Sequence, residues 1–181
     1  MSTAVEVRLA GPEDADAWFD LGAATHRENG SDGYLTAPYS PSAPPRTDEP
    51  DRRARLLEEI ARPLDVPHWR RLWLAIERGI AIGSVTLYGL KLPSEMHRCV
   101  LGIAVRRAAQ RRGIGTSLMR TAIEWARAEP TLSWIDLGVF SRNRPARALY
   151  QRLGFVERGT TRDRFRVDGE SIDDVEMSLA V

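Results

Sequence analysis

Hydrophobic and polar residues follow two different periods along the chain, and together these periods predict a mixed α/β fold. Apolar residues at every second position are typical of strands, because successive strand side chains point to opposite faces of a sheet. Apolar residues spaced by three and four positions are typical of helices that bury one face. Strands are therefore predicted at residues 5–9, 72–76, 80–87, 95–105, 133–140, 155–157 and 175–179, and helices at about 12–26, 50–61, 113–128 and 144–153.

Short turn sequences connect neighbouring strands. Glu77-Arg78-Gly79 separates the second and third predicted strands, and Val167-Asp168-Gly169-Glu170 precedes the last one. Both patterns are typical of hairpins, which join antiparallel strands. We therefore expect a mixed α/β order with several antiparallel strand pairs.

Composition and charge narrow the possible functions. The chain has 181 residues, which suggests one domain, and its 43% apolar content argues against intrinsic disorder. With 26 basic and 25 acidic side chains, the net charge of +1 argues against a dedicated nucleic-acid-binding protein. The charge is uneven, because residues 1–66 hold 13 acidic and 7 basic side chains, whereas residues 98–127 hold seven arginines against Glu124. We expect an anionic ligand to bind the basic part of the chain.

Other residues bear on location and partners. Cys99 has no second cysteine to pair with, which fits a reducing, cytoplasmic compartment. The N-terminal segment lacks the apolar stretch of a signal peptide, and no apolar run reaches the ~20 residues that span a bilayer, so no membrane partner is expected. His26 and His68 lack ligand-type neighbours at ligand spacing, so no metal is expected. A homodimer remains an open alternative to a monomer.

Residues 29–50 form the longest stretch with the composition of a loop. They hold five prolines and two glycines, and a loop of this length in a compact domain is usually functional or disordered. Tyr34 and Tyr39 slightly favour a lid over a binding site. A plain mobile loop is the alternative.

The segment Gln110-Arg111-Arg112-Gly113-Ile114-Gly115-Thr116 follows a predicted strand and opens a predicted helix. Its glycines allow the backbone to turn tightly and to approach a ligand. The free N–H groups of a helix's first turn, together with the helix dipole, favour a phosphate. The spacing matches neither a P-loop nor the dinucleotide G-x-G-x-x-G motif. On these residues alone, a phosphate cradle and an ordinary strand-to-helix turn with solvated arginines are equally supported.

A second segment surrounds the helix predicted at residues 144–153. Asn143 and Tyr150 are seven residues apart, or about two helical turns, so their side chains can point the same way. Pro145 suits a first helical turn and Gly154 suits a helix end. On its own this segment has a structural explanation, with Asn143 as the helix N-cap and Tyr150 as a half-buried anchor.

In this order and at this separation, the two segments resemble one family, the GCN5-related N-acetyltransferase (GNAT) superfamily. The strand at residues 101–105 and the segment from Gln110 to Gly115 are similar to the family's strand followed by Q/R-x-x-G-x-G/A and a helix. The family's N-x-x-A-x-x-x-Y-x-x-x-G-F signature is matched by Asn143, Ala146, Tyr150, Gly154 and Phe155. The resemblance implies the GNAT fold, a central mixed, mostly antiparallel twisted sheet of about six to seven strands flanked by about four helices.

The resemblance also implies acetyl-CoA as the cosubstrate and identifies groups that would bind it. Backbone groups of Ile103, Ala104 and Val105 would pair with the pantetheine arm, and Asn143 would hydrogen-bond the same arm. The pyrophosphate would lie against the turn and the first helical turn, a segment that comprises Gln110, Arg111, Arg112, Gly113, Ile114, Gly115 and Thr116.

Tyr150 would lie near the thioester sulfur and protonate the leaving thiolate. A phenol has a pKa near 10, close enough to that of a thiol for this role. A strand N–H group near Ile103 would stabilise the oxyanion that forms when the amine attacks the acetyl carbon directly.

The general base is the main departure from the family's pattern. Family members place a glutamate at the position of Cys99 or, in the ribosomal-protein N-terminal acetyltransferases, at that of Gly138, and neither carboxylate is present here. Glu95 and His97 share the predicted strand face of Cys99, and His97 titrates in the useful pH range. His97 is therefore the candidate base, although a histidine satisfied by a neighbour is the more common explanation. Asp136 as base and Cys99 as acyl carrier are weaker alternatives.

Three alternative functions are consistent with these residues and with the resemblance. The first is an acetyl-CoA-dependent N-acetyltransferase, an acyltransferase whose partner is a small-molecule primary amine. The second has the same chemistry on a protein or peptide N-terminus. The third is a non-catalytic acyl-CoA-binding module, which the unassigned base favours. The acidic residues 1–66 favour a cationic acceptor.

Overall fold

The computed structural model describes residues 4–30, 35, 37, 38 and 51–181. Its strands are β1 (Glu6–Leu9), β2 (Arg70–Glu77), β3 (Ile80–Gly89), β4 (Arg98–Val105), β5 (Trp134–Phe140), β6 (Val156–Val167) and β7 (Glu170–Ala180). Its helices are α1 (Ala15–Glu28), α2 (Asp51–Ala61), α3 (Ile114–Ala128) and α4 (Arg144–Arg152). Tyr34 and Tyr39, and with them the predicted lid, lie outside the described residues. Among the described helices, none is both long enough and apolar enough to cross a membrane.

The seven strands form one sheet in the order β1-β2-β3-β4-β5-β7-β6. Only β4 and β5 run parallel to each other, and the other neighbouring strands are antiparallel. The predicted mixed, mostly antiparallel sheet with four helices is confirmed.

Two strand boundaries differ from the prediction. The strand predicted at 95–105 begins at Arg98, because Pro93–Glu95 forms a short 3-10 helix and residues 96–97 form a turn. Pro93 and the turn that follows it delay the start of the extended backbone relative to the period-two pattern. Strand β6 extends over 12 residues to Val167, whereas only 155–157 were predicted. It lies at the sheet edge, so most of its side chains are exposed and its polar sequence lacks the alternation that marks a half-buried strand.

Helices cover both faces of the sheet. Leu118, Met119 and Ala122 of α3 are fully buried against one face. On the other face, Leu21 of α1 packs with Leu72 and Leu74 of β2. Apolar burial on both faces stabilises the sheet as a rigid frame for the groups at its centre.

The sheet opens between its two parallel strands. β4 and β5 pair only from Arg98 opposite Trp134 to Val100 opposite Asp136. Beyond this point β4 continues to Val105 and remains paired with β3, while β5 continues to Phe140 and pairs with β7. The two strands therefore separate, and we refer to the space between residues 101–105 and 137–140 as the gap.

Candidate active site

The β4 wall of the gap presents backbone groups that do not pair with β5. The Arg106 N–H donates to Ile82 O of β3 at 2.9 Å, whereas Val105 O accepts from Gln110 Nε2 at 3.2 Å. Successive strand residues direct their N–H and C=O groups to alternate edges, so Ile103 and Val105 face the gap and Ala104 faces β3. Of the three predicted cofactor-binding residues on this strand, Ile103 and Val105 present backbone groups to the gap and Ala104 does not.

The predicted glycine turn lies at the end of β4 and starts α3. Gly113 is the helix N-cap and has a left-handed backbone with φ of 82°, a conformation that glycine adopts without steric penalty. The first helical hydrogen bond runs from Ser117 N to Gly113 O at 3.0 Å. The N–H groups of Gly113, Ile114, Gly115 and Thr116 therefore precede the helical hydrogen bonds, and such groups bind anions.

Gly115 lies where three elements converge. A Cβ at this position would be 3.7 Å from Leu149 Cδ2 of α4, 3.8 Å from Ile103 Cδ1 and 3.9 Å from Val105 Cγ2 of β4. A methyl group at this position would therefore be in ordinary van der Waals contact with β4 and α4, and a larger side chain would have to displace these neighbours.

The arginines beside the turn hold it to the rest of the fold. Arg112 forms a two-point hydrogen-bonded ion pair with Glu77, which lowers the pKa of that carboxyl. Glu28 forms an ion pair with Arg106 at 3.6 Å and accepts a hydrogen bond from Arg107 N at 2.7 Å. The Arg112 side chain is therefore engaged, and its predicted contribution to phosphate binding would come from its backbone N–H group. The exposed Arg111, with φ of 60°, turns the backbone towards Gly113.

Asn143 caps α4. Its Oδ1 accepts a hydrogen bond from Ala146 N at 3.2 Å, which satisfies a free donor of the first turn. The structural explanation of Asn143 is therefore correct. Its side-chain NH₂ group is still a donor, and the residue is half-buried at the edge of the gap formed by the end of β5.

Tyr150 of α4 is 7% exposed, and its ring centroid is 6.0 Å from that of Phe155. None of the described residues forms a hydrogen bond with its hydroxyl. The hydroxyl oxygen is not completely buried, so solvent can reach it. Burial of the ring raises the pKa of Tyr150 to about 12. The hydroxyl therefore stays protonated at physiological pH and can donate to a group that develops negative charge.

The combination of a parallel-strand gap, a glycine turn with free N–H groups and a protonated tyrosine agrees with comparisons to known proteins. A family model described as "Acetyltransferase (GNAT) family" matches residues 34–155. The chain belongs to the GNAT family. The resemblance based on its motifs is confirmed, and the protein is an acyltransferase that uses acetyl-CoA.

Relatives and solved structures support this membership. The L-amino acid N-acetyltransferase AaaT of Escherichia coli is 31% identical over 109 residues, which cover 60% of this chain and 67% of that protein. The putative ribosomal N-acetyltransferase YdaF of Bacillus subtilis is 25% identical over 97% of this chain and 90% of its own.

The fold is also that of solved GNAT structures. A GNAT acetyltransferase from Streptococcus pneumoniae has a TM-score of 0.82 at 24% identity and covers 98% of this chain and 100% of its own. The putative acetyltransferase yncA from Salmonella typhimurium, solved with acetyl-CoA, has a TM-score of 0.78 at 19% identity and covers 98% and 94% of the two chains.

The residues of this GNAT protein fit acetyl-CoA. The free N–H groups from Gly113 to Thr116 suit a pyrophosphate, and the gap-facing backbone groups of Ile103 and Val105 suit the amides of an extended pantetheine arm. The side chain of Gln110 serves the fold, since it ties the turn to Val105 O.

The prediction that Glu95 and His97 share a strand face with Cys99 is wrong, because neither residue lies on β4. His97 is exposed in the preceding turn, and its carbonyl accepts hydrogen bonds from Ser133 N at 2.8 Å and Trp134 N at 3.2 Å. It precedes Ile103 by six residues, or about 20 Å of extended strand. The structure therefore places the predicted base at the closed end of the β4–β5 pair, away from the gap.

Cys99 and Asp136 are both engaged in the fold. Cys99 is fully buried, its Sγ donates to Trp134 O at 3.7 Å, and burial raises the pKa of its thiol to about 12. Such a thiol is a poor nucleophile. Asp136 accepts hydrogen bonds from Arg98 Nε at 2.7 Å and Ser178 Oγ at 2.6 Å. Burial opposes the ionised form of Asp136, but these hydrogen bonds prevail and lower its pKa, which makes it a weak base.

Sequence reasoning missed one carboxylate near the gap, that of Asp174 on β7. Its Oδ2 lies 2.7 Å from the place where a Cβ of Gly138 would stand. The position follows from the register that pairs Phe140 with Asp174, and no local pattern in the sequence reveals a register between strands so far apart.

Proposed function

We propose that the protein transfers the acetyl group of acetyl-CoA to the primary amine of a small molecule by direct attack of the amine. The protonated Tyr150 hydroxyl, which has no hydrogen-bond partner among the described residues, carries the proposal, because acetyl transfer from a thioester needs a donor at the departing sulfur. A binding module has no such requirement.

Acetyl-CoA supplies an activated acetyl thioester. The N–H groups from Gly113 to Thr116 bind the pyrophosphate, and the Ile103 and Val105 backbone groups orient the arm along β4. Asn143 donates its amide NH₂ group to the arm while its Oδ1 caps α4. The Ile103 N–H group also stabilises the negative charge that develops on the acetyl oxygen during attack.

Tyr150 donates its hydroxyl hydrogen to the departing sulfur. Its pKa of about 12 exceeds that of a free thiol, near 8.5, so full proton transfer to the thiolate is uphill. A hydrogen bond to the developing thiolate is therefore the larger part of its contribution, and the transfer is completed as the proton is replaced from solvent.

One observation supports a small acceptor, and a second supports a cationic one. AaaT, whose name specifies an L-amino acid substrate, is 31% identical over 109 residues. Residues 1–66 carry 13 acidic and 7 basic side chains, a balance that attracts an ammonium group. The second candidate is a ribosomal-protein N-terminus, which is favoured by the 25% identity to YdaF over 97% of the chain.

A thiol-release screen with acetyl-CoA tests the proposal. The acceptors are amino acids, polyamines, aminoglycosides and peptides, with mass spectrometry of each product. We expect an N-acetylated small amine and one thiol per acetyl group transferred. Turnover with peptides only would favour the second candidate, and binding of acetyl-CoA without thiol release from any acceptor would favour a non-catalytic module.

A further inference from the structure

One face of the gap carries two glycines. Val100 of β4 and Asp136 of β5 form the last pair before the strands separate, and the next residues on the same face are Gly102 and Gly138. Both are exposed, and a Cβ added to Gly102 would meet no atom of the described residues within 4 Å. Among the described residues, this face therefore carries no side chain between Val100 and Ala104 on β4 or between Asp136 and Phe140 on β5, which leaves room for an acceptor beside the gap.

The Asp174 carboxylate lies over the β5 side of this opening. Asp174 stands opposite Phe140 in the β5–β7 ladder, so both side chains lie on the face of Gly138. Its Oδ2 and Cγ are 2.7 Å and 3.3 Å from the Cβ position of Gly138. A side chain at position 138 would therefore displace the carboxylate from this place.

Asp174 differs from Asp136 in having no partner. Asp136 is hydrogen-bonded by Arg98 and Ser178, whereas none of the described residues donates a hydrogen bond to Asp174 or pairs with it. A half-buried carboxylate without a donor has an unused capacity to accept a proton or an ammonium hydrogen bond.

The surroundings of Asp174 make it a stronger base than an exposed aspartate. Burial raises its pKa; the charge of Arg164 on β6 opposes this effect and that of Glu176 on β7 adds to it. On the same face, Phe140 packs in an apolar cluster with Leu35 and Ile172. Asp136, from β5, is neutralised by Arg98.

Tyr150 and Asp174 approach the gap from opposite faces of the sheet. Tyr150 packs in the core cluster that contains Leu137 and Val139, whose side chains alternate with that of Gly138 along β5. In the tetrahedral intermediate the amine nitrogen and the departing sulfur are two different substituents of the acetyl carbon, so the groups that take and give their protons come from different directions. The arrangement therefore places a proton acceptor on one side of the gap and a donor on the other.

We infer that Asp174 is the catalytic residue that accepts the proton of the acceptor amine, an assignment that rests on the proposed function. An ammonium acceptor gives one proton to the Asp174 carboxylate, which passes it to solvent. The neutral nitrogen then forms a bond to the acetyl carbon as the C–S bond breaks. The second nitrogen proton is released to solvent. Tyr150, which gives a proton to the sulfur, regains one from solvent, so these two protons balance.

The test is the Asp174→Asn variant, which keeps the size of the side chain and removes its basicity. With acetyl-CoA and the best small amine of the screen, kcat/KM at pH 7 falls by about 10²-fold or more. The difference in kcat/KM between variant and wild type shrinks as the pH approaches the pKa of the acceptor amine, because a neutral amine needs no base. For the same reason, hydroxylamine, which is neutral at pH 7, is acetylated by the variant at a rate close to that of the wild type.

Three further variants separate catalysis from structure. Glu176→Gln removes the neighbouring carboxylate on this face of β7, and Asp173→Asn changes the adjacent residue, whose Oδ1 accepts from Asp163 N at 2.9 Å. Asp173→Asn keeps its pH profile. Glu176→Gln keeps its activity, but the apparent pKa of its profile falls, because a charge that helps to raise the pKa of Asp174 is gone. The double variant Gly138→Glu/Asp174→Ala places a carboxylate on β5 in the space that Asp174 vacates, and it regains part of the activity that Asp174→Ala loses.

The outcomes are distinct. An Asp174→Asn variant with an unchanged pH profile overturns the assignment and leaves the acetyltransferase activity standing, as does a loss of base-dependent activity in Glu176→Gln that Asp174→Asn does not show. Equal loss with the ionised amine and with hydroxylamine shows a structural role only and also overturns it. A wild-type protein that releases no thiol with any amine overturns both the assignment and the proposed function.

Discussion

Replacement of Tyr150 by Phe separates catalysis from stability at the centre of the site. The change removes one hydroxyl and keeps the ring, which packs 6.0 Å from Phe155. No hydrogen bond within the described part of the chain is lost, and the hydroxyl reaches solvent. We therefore expect the free energy of unfolding to change by no more than about 0.5 kcal/mol.

The effect on acetyl transfer is expected to be much larger. Loss of a donor at the departing sulfur lowers kcat by about 100-fold, which corresponds to about 2.7 kcal/mol of activation free energy. The affinity for acetyl-CoA changes little, because the backbone groups that bind it are untouched. The assays are thiol release for kcat, calorimetric titration for acetyl-CoA binding, and urea unfolding for stability.

Tyr88→Phe is the matched control. Tyr88 is 38% exposed on β3 and stands opposite Val100, at the closed end of the β4–β5 pair. It should keep its activity. Wild-type turnover in Tyr150→Phe would refute the donor role, and a loss of turnover that tracks a loss of stability would show that Tyr150 only supports the fold.

Two other predictions concern the frame of the site. Asp136→Asn breaks the hydrogen-bonded pair with Arg98 and destabilises the protein by about 1–3 kcal/mol at pH 7 in urea unfolding. The pKa of Asp136 is lowered in the folded state, so this stabilisation is present above the ordinary carboxyl pKa and is lost as the pH falls through the lowered value. The free energies of unfolding of wild type and variant therefore converge in acid. A difference in stability that persists unchanged in acid would contradict the assignment to the ion pair. Gly113→Ala introduces a Cβ at a φ of 82° and costs about 1–2 kcal/mol of stability. Because the change misplaces the first N–H groups of α3, it also raises the KM for acetyl-CoA. An unchanged KM would show that these groups do not bind the phosphate.

Local signals in the sequence were sufficient for most of the fold. Helix α3 begins one residue after Gly113 and α4 one residue after Asn143, because a left-handed glycine and a side-chain N-cap act within a few residues of themselves. The strand start at Arg98 was misplaced, since the alternation of residues 95–105 continues through a 3-10 helix that involves Pro93.

The candidate site was predictable only in part, for a physical reason. The proposed cofactor side consists of backbone groups and the side chains of Asn143 and Tyr150, all within two contiguous segments. The acceptor side depends on the antiparallel register of β5 and β7, which are separated by α4 and β6, and that register alone brings Asp174 over Gly138. Register is set by packing over the whole sheet, so residue spacing gives no indication of this contact.

Transfer of the acetyl group from acetyl-CoA to a small amine is tested most directly by the stoichiometry of a single reaction. Wild-type protein, acetyl-CoA and one small primary amine are mixed, and free thiol and N-acetylated amine are both quantified over time. We predict that the two products appear together in a one-to-one ratio, and that both form about 100-fold more slowly in Tyr150→Phe. Thiol without acetylated amine, or acetylation at the wild-type rate in that variant, would contradict acetyl transfer at this gap.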